Sequence, residues 1–192
     1  FNGSSFIVKP RWEGSSKGIF KDSVVSSFKE CTERVERILA TYKQPAVIEE
    51  FLCGDEITVA VTGNKNPKVL GMMHISQKEP TKQFIYSIEN KRSWRETICY
   101  EQAKKVLSAS TIEQIEKEAL KAFQALEIRD ISRIDFRLDE KNIPRIIDIN
   151  PLPGLSPEYS DLMLISGLHG LDFRSVVHSI ITLSLQRNKL LE

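Results

Sequence analysis

Two β-branched runs, residues 131–138 (ISRIDFRL) and 143–150 (IPRIIDIN), flank the polar turn Asp139-Glu140-Lys141-Asn142. No other stretch of the chain restricts its fold so strongly, because this pattern reads as a β-hairpin. Period two places Arg133, Asp135 and Arg137 on one face of the first strand and Ile134, Phe136 and Leu138 on the other. Asp148 and Asn150 share a face of the return strand. If the four-residue turn pairs Leu138 with Ile143, residues whose numbers sum to an odd value lie opposite. Asp135, Asp148, Asn150 and Arg133 then project from the same side. Two adjacent carboxylates repel each other unless a cation lies between them. Hard oxygen donors that share their ion with phosphate oxygens suit Mg²⁺. The plain alternative is an exposed sheet face of mixed charge. Against it, Asp148 is flanked by Ile146, Ile147 and Ile149, so its strand reads as interior, where an unpaired carboxylate is costly.

Other segments read as parts of a nucleotide site. IVKP ends an apolar strand on Lys9, and RWEGSSKG follows. Gly14 allows close backbone approach, and the hydroxyls and N–H groups of Ser15 and Ser16 can cradle phosphate oxygens. The spacing is not that of a Walker A loop, and by itself the segment reads first as a surface turn. VIEEFLCGDEITVAV is a strand, a break and a strand. Backbone groups beside Glu49, Glu50, Phe51 and Leu52 can read adenine, and Glu56 can accept from ribose hydroxyls. Solvated strand-edge glutamates are the simpler reading of the same residues.

The remaining chain alternates strands and helices. A strand is expected at 5–9, and a helix capped by Asp22 or Ser23 with the stripe Val24, Phe28, Cys31, Val35, Ile38 and Tyr42. Strands follow at 46–52, 56–62 and 68–75. Residues 76–108 read as a long polar and basic loop, of the kind that is often functional. Ser110-Thr111-Ile112-Glu113 reads as a capping box, opening a helix that buries Ile112, Ile115, Ala119, Ala122 or Phe123, and Leu126. Two helices close the chain, near 160–168 and 172–188.

Composition excludes several classes. The net charge of +1 over 192 residues gives no basis for a polyanion partner, so the basic run NKRSWRE is not read as a nucleic-acid site. No apolar run reaches the roughly 18 residues of a membrane span. Cys31, Cys53 and Cys99 have neither disulfide parity nor zinc spacing, which points to a reducing, cytoplasmic setting. His74, His169 and His178 lack metal-like grouping and are assigned structural roles. The chain opens at Phe1 and enters a strand within a few residues, so it is expected to be a fragment preceded by further domains.

The order of FIVKPRWEGSSKG, VIEEFLCGDEITVAV, IYSIENK, SRIDFRL and IIDINPLPG resembles the ATP-grasp superfamily, and within it the D-alanine–D-alanine ligase family. The resemblance covers nearly the whole chain. It implies an α+β fold whose two lobes, built on mostly antiparallel sheets, grip ATP. Residues 1–49 would be the remnant of the small lobe and 50–192 the lobe carrying the metal and catalytic residues. The amino-terminal substrate domain would lie outside the chain. The implied chemistry joins a carboxylate to an amine through an acyl-phosphate and releases ADP and phosphate.

The resemblance also implies roles. Lys9 binds phosphate, Glu13 to Ser16 form the covering loop, Glu49 to Leu52 read adenine, and Glu56 binds ribose. Tyr86 and Lys91 close over the γ-phosphate, Arg133 stabilises the transferring group, and Gly154 donates near the reacting carbonyl. Asp135, Asp148 and Asn150 hold two Mg²⁺ ions, with Mn²⁺ as a substitute. The substrates implied are amino acids or dipeptide-like molecules, with a place in peptidoglycan synthesis and a homodimer among the implied settings. The sequence departs from the family at three places. Glu50 stands where a lysine is usual, and Asp148 where a glutamate is usual. Tyr159, followed by Ser160, stands where D-alanine ligases place a serine for the acceptor's carboxylate. Two other readings remain: an ATP-binding module without ligase activity of its own, and a small-molecule kinase on the same fold.

Overall fold

The computed structural model describes residues 4–79, 84–87 and 93–191. The chain divides into two compact units, residues 1–53 with 77–99 and residues 54–76 with 100–192. The first break falls a few residues beyond the expected one at 49/50, and residues 77–99 group with the first unit.

The first unit is a three-stranded antiparallel sheet in the order β2-β1-β3, with β1 at Phe6–Pro10, β2 at Val24–Val25 and β3 at Ala46–Glu50. Helix α1, Phe28–Tyr42, packs on it through Cys31 and Ile38, which bury with Val8 and Val25. The helix begins later than the apolar stripe suggests. Ser27 is its N-cap, and Ser27 and Glu30 bond reciprocally as a capping box. Val24 is drawn instead into pairing with Ile7, and Phe28 is left 77% exposed at the helix start. The Ser-x-x-Glu signature at 27–30 outweighs about one turn of apolar periodicity, because it satisfies orphan N–H groups that periodicity does not. A short helix, α2 at Trp94–Thr97, also belongs to this unit.

The second unit is built on a five-stranded antiparallel sheet in the order β6-β5-β4-β7-β8. Its strands are β4 Glu56–Gly63, β5 Lys68–Gln77, β6 Ile98–Gln102, β7 Asp130–Leu138 and β8 Pro144–Asn150. The unit boundary runs through β6 and the last residue of β5. Strand β6 lies inside the stretch expected to be loop. It is a sheet edge with one fully buried residue, Ile98, so its sequence carries little of the alternation that marks a strand.

Helix α3, Ala109–Ala125, covers one face of this sheet. Ile115, Ala119 and Phe123 pack with Ile57, Val59, Val61, Ile134 and Phe136. Its N-cap is Ser108, which accepts from the Thr111 N–H, rather than Ser110. Leu126, expected in the core, is 59% exposed because the helix has already ended. The chain closes with α4, Asp161–Leu168, and α5, Phe173–Arg187, capped by Asp172, as the sequence indicates. The ring of His169 lies against Gly71 of β5, where a Cβ would come within 2.5 Å of it. Its Nε2 sits 3.2 Å from both the backbone N and O of Met72. The absence of a side chain at 71 therefore leaves the His169 ring its place beside Met72.

Candidate active site

The hairpin predicted from sequence forms, but β8 is the edge of the sheet rather than an interior strand, Asp148 is exposed, and the register differs near the turn. Leu138 pairs with Pro144, not Ile143, and Phe136 with Ile146. The register then shifts, and Asp135 pairs with Asp148, Ile134 with Ile149 and Arg133 with Asn150. Ile147 is the extra residue. Such a bulge changes which residues share a face without breaking the sheet.

Arg133 organises this end of the hairpin. Its Nε and Nη2 donate to Oδ1 and Oδ2 of Asp135 at 3.0 and 2.9 Å. Its Nη1 donates to Oδ2 of Asp161 at 3.0 Å. All three side chains are largely buried, at 12–15% exposure. Burial disfavours the Arg133 charge, but the carboxylates of Asp135, Asp161 and Asp148 more than offset this and raise its pKa. Burial pushes the Asp135 carboxyl up, Arg133 opposes the shift, and the like charges of Asp161 and Asp148 add to it. One guanidinium against three carboxylates leaves the cluster at a formal charge of −2. Asn150 lies at its edge, and its Oδ1 accepts from the Leu152 N–H.

Asp161 was not singled out in the sequence. The signal available was weak: an acid in the first turn of a helix is ordinary dipole chemistry, and nothing local shows that it meets a residue 28 positions away. Gly154 lies in the loop between β8 and α4, where an added Cβ would make only ordinary contact with Ser160. Tyr159 is 57% exposed in the same loop. Ser160 is the N-cap position of α4, and its hydroxyl donates to the Ser156 carbonyl rather than to the helix.

Glu56 is held more tightly than a free ribose ligand would be. It is buried and pairs across the sheet with Arg137, whose Nε lies 3.5 Å from its carboxylate. Nearby, His74 is buried between Asp55, 3.0 Å from Nε2, and Glu101, 3.6 Å from Nδ1. Burial alone would lower the His74 pKa, but the hydrogen bond to Asp55 and the charges of Asp55 and Glu101 raise it. Both ring nitrogens of His74 thus face carboxylates of the same unit. Among the described residues no cluster of three or more His, Cys, Asp or Glu side chains is arranged to hold a metal ion by protein ligands alone.

In the first unit, Lys9 forms an ion pair at 2.5 Å with Glu49, which lies diagonally across β1 and β3, two residues beyond Lys9's register partner Val47. Glu13 is fixed by Gln44 and Lys17. Ser15 and Ser16 both adopt left-handed backbone, φ 54° and 59°, which non-glycine residues rarely do. The Ser16 hydroxyl donates to the Tyr86 carbonyl at 2.9 Å. A Cβ at Gly14 would meet nothing within 4 Å, so no protein atom requires that glycine. Glu50 ends β3 opposite Phe6, and Phe51 and Leu52 follow it, with the Phe51 N–H donating to the Ser5 carbonyl. Lys91 lies outside the described residues.

Two units built on antiparallel sheets, the second carrying a carboxylate-rich hairpin, define an α+β protein of the ATP-grasp fold. Residues 2–182 match the family model described as the D-ala D-ala ligase C-terminus, and the chain belongs to that family. It is 29% identical over 187 residues to the D-alanine–D-alanine ligase of Desulfotalea psychrophila, covering 97% of the chain and 56% of the relative. It is 31% identical over 183 residues to the corresponding ligase of Carboxydothermus hydrogenoformans, covering 94% and 54%. The crystal structure of D-alanine–D-alanine ligase from Bacillus anthracis superposes with a TM-score of 0.75 at 25% identity, over 97% of the chain and 56% of that structure. The chain thus spans about half the length of the curated relatives it matches. No helix among the described residues is long and apolar enough to cross a membrane.

Proposed function

We propose that this chain is the ATP-handling part of a carboxylate–amine ligase of the D-alanine–D-alanine type. ATP is a substrate: a carboxylate oxygen takes the γ-phosphoryl group, ADP leaves, and an amine then displaces phosphate from the acyl-phosphate to form the amide. The observation that carries this reading is the Arg133 cluster on the β7–β8 hairpin of a family member. It sets a guanidinium among Asp135, Asp148 and Asp161 with a net negative charge.

The donor set fits a hard divalent cation. Asp135, Asp148 and Asn150 supply two carboxylates and a carboxamide oxygen, and a carboxylate that accepts from arginine keeps lone pairs for a metal. Burial, with a smaller push from the Asp161 and Asp148 charges, raises the Asp135 pKa, and a cation beside it would favour its charged form. When bound, Mg²⁺ would screen the charge between the attacking carboxylate and the phosphate oxygens. Arg133 contributes fixed positive charge where negative charge develops. Lys9 would meet phosphate after exchanging its partner Glu49, and the strained Ser15-Ser16 turn would present N–H groups to phosphate oxygens. Small amino acids or dipeptide-like molecules are the substrates, and a cytoplasmic homodimer is the setting we favour.

The test is ADP release by the protein carrying this chain. A ligase forms ADP and amide in equal amounts only when both an amino-acid carboxylate and an amine are supplied. ADP release with a phosphorylated product and no amide would make it a kinase. ATP binding with no turnover under any pair of substrates would make it a binding module.

A further inference from the structure

We propose that Asp161 is a positioning residue that acts through Arg133, locking the guanidinium in place and fastening the loop 151–160 to it. The proposal rests on the ligase reading above for its kinetic consequence, but its structural content stands apart.

The argument starts from the two edges of the guanidinium. Asp135 takes one edge in a bidentate grip through Nε and Nη2. Such a fork fixes the plane of the group. Asp161 takes Nη1, at the other side. With both carboxylates in place the head can neither swing out of plane nor slide along it. Asp135 reaches Arg133 from two residues along the same strand. Asp161 comes from a different element, the first turn of α4, where the helix N-terminus also favours its negative charge.

The second consequence concerns the loop. Residue 150 is the register partner of Arg133 on β8, and residue 161 is its ion-pair partner on α4. Both ends of the intervening ten residues therefore meet at one residue, residue 150 through the backbone ladder and residue 161 through the side chain. Gly154, Tyr159 and Ser160, to which the family resemblance gives contacts with the reacting carbonyl and the acceptor, all lie within that closed loop. The residue that stabilises the transferring group and the loop that meets the acceptor are held in one geometry by a single pair of charges. A buried pair of this kind gives registration rather than net stability.

The experiment compares wild type, Asp161→Asn, Arg133→Lys and the double variant, using kinetics and ¹⁵N NMR of the arginine guanidinium. Asp161→Asn should lower kcat about tenfold, since small misplacement of a positioned group costs that much or more. The KM for ATP should stay within about twofold. Because Asp161 acts through Arg133, the double variant should be no slower than Arg133→Lys alone. Rotation of the Arg133 Nη1 group should speed up by about tenfold in Asp161→Asn as its charge-assisted hydrogen bond weakens. Multiplicative losses in the double variant, or unchanged Arg133 rotation in Asp161→Asn, would overturn the proposal. If the wild-type protein forms no amide from ATP, the ligase reading fails, and the rotation measurement still decides the clamp.

Discussion

Asp135 and Asp148 stand directly opposite each other on β7 and β8, and one bulged residue, Ile147, brings them there. The pairs nearer the turn, Leu138 with Pro144 and Phe136 with Ile146, follow a register that would set Ile147 against Asp135. A one-residue slip turns a side chain to the other face of a sheet. Without the bulge, Asp148 would face away from Asp135, and the carboxylate pair would not exist.

That pairing leads to a metal prediction. Mg²⁺ should bind this protein appreciably only with ATP present, because Mg²⁺ prefers shared phosphate oxygens and waters to an all-protein cage. Calorimetric titration with and without a non-hydrolysable ATP analogue reads this directly. Asp148→Asn should abolish the nucleotide-dependent component and leave the fold intact. Equally tight Mg²⁺ binding with and without nucleotide would count against the site.

Acceptor choice should turn on Tyr159. Its ring carries the hydroxyl several ångströms further from the backbone than a serine would, and the side chain is largely exposed. Tyr159→Ser should raise use of D-alanine relative to other amines by about tenfold, the worth of a hydrogen bond to a charged carboxylate. The readout is the ratio of kcat/KM values for competing acceptors. Efficient D-alanine use by the wild type, unchanged in the variant, would show that Tyr159 does not set the choice.

The His74 cluster should give stability a pH dependence. His74 holds its proton more strongly in the fold than its usual value of 6.5 implies. Its contribution is therefore complete below about pH 6.5 and is lost as pH rises through the higher folded value. The hydrogen bond from His74 lowers the Asp55 pKa below 3.8, so that contribution is lost only as pH falls through the lowered value. Denaturant midpoints should decline from mildly acidic pH toward pH 8, and His74→Gln should flatten that slope. An unchanged slope in the variant would remove His74 as its source.

Helix α3 offers a sharper test of a local rule. Ser108 caps it, whereas Ser110 lies inside the first turn. Ser108→Ala should cost about 1 kcal/mol of stability, and Ser110→Ala a few tenths at most. Urea melts of the two variants distinguish them, and equal losses would show that the cap has moved.

Patterned features were legible in the sequence because their signal is repeated. The hairpin, the closing helices and the face shared by Arg133 and Asp135 all follow from periodicity. Single-residue decisions were not legible in the same way. Nothing in RIIDIN marks Ile147 rather than Ile146 as the bulged residue, and the odd-sum rule held near Asp135 only because the bulge offset a longer turn. Strand β6 was hidden because an edge strand can be mostly polar. Asp161 was hidden because its partner is remote in sequence, while the Asp55–His74–Glu101 group needed three separate strands or loops to assemble. The cap at Ser27 was written in the sequence as Ser-x-x-Glu, but the longer apolar stripe obscured it.

Helix α4 is fastened at both ends to the sheet beneath it, by Asp161 to Arg133 and by His169 seated on Gly71. Eight residues separate the two anchors, about 12 Å of helix. A side chain at position 71 would meet the His169 ring, and a helix displaced at that end pivots as a rigid rod rather than bends. The error would appear at Asp161, where the tolerance is a hydrogen-bond length. A methyl group placed on β5, two strands from Arg133 on β7, is thereby wired to the geometry of the guanidinium.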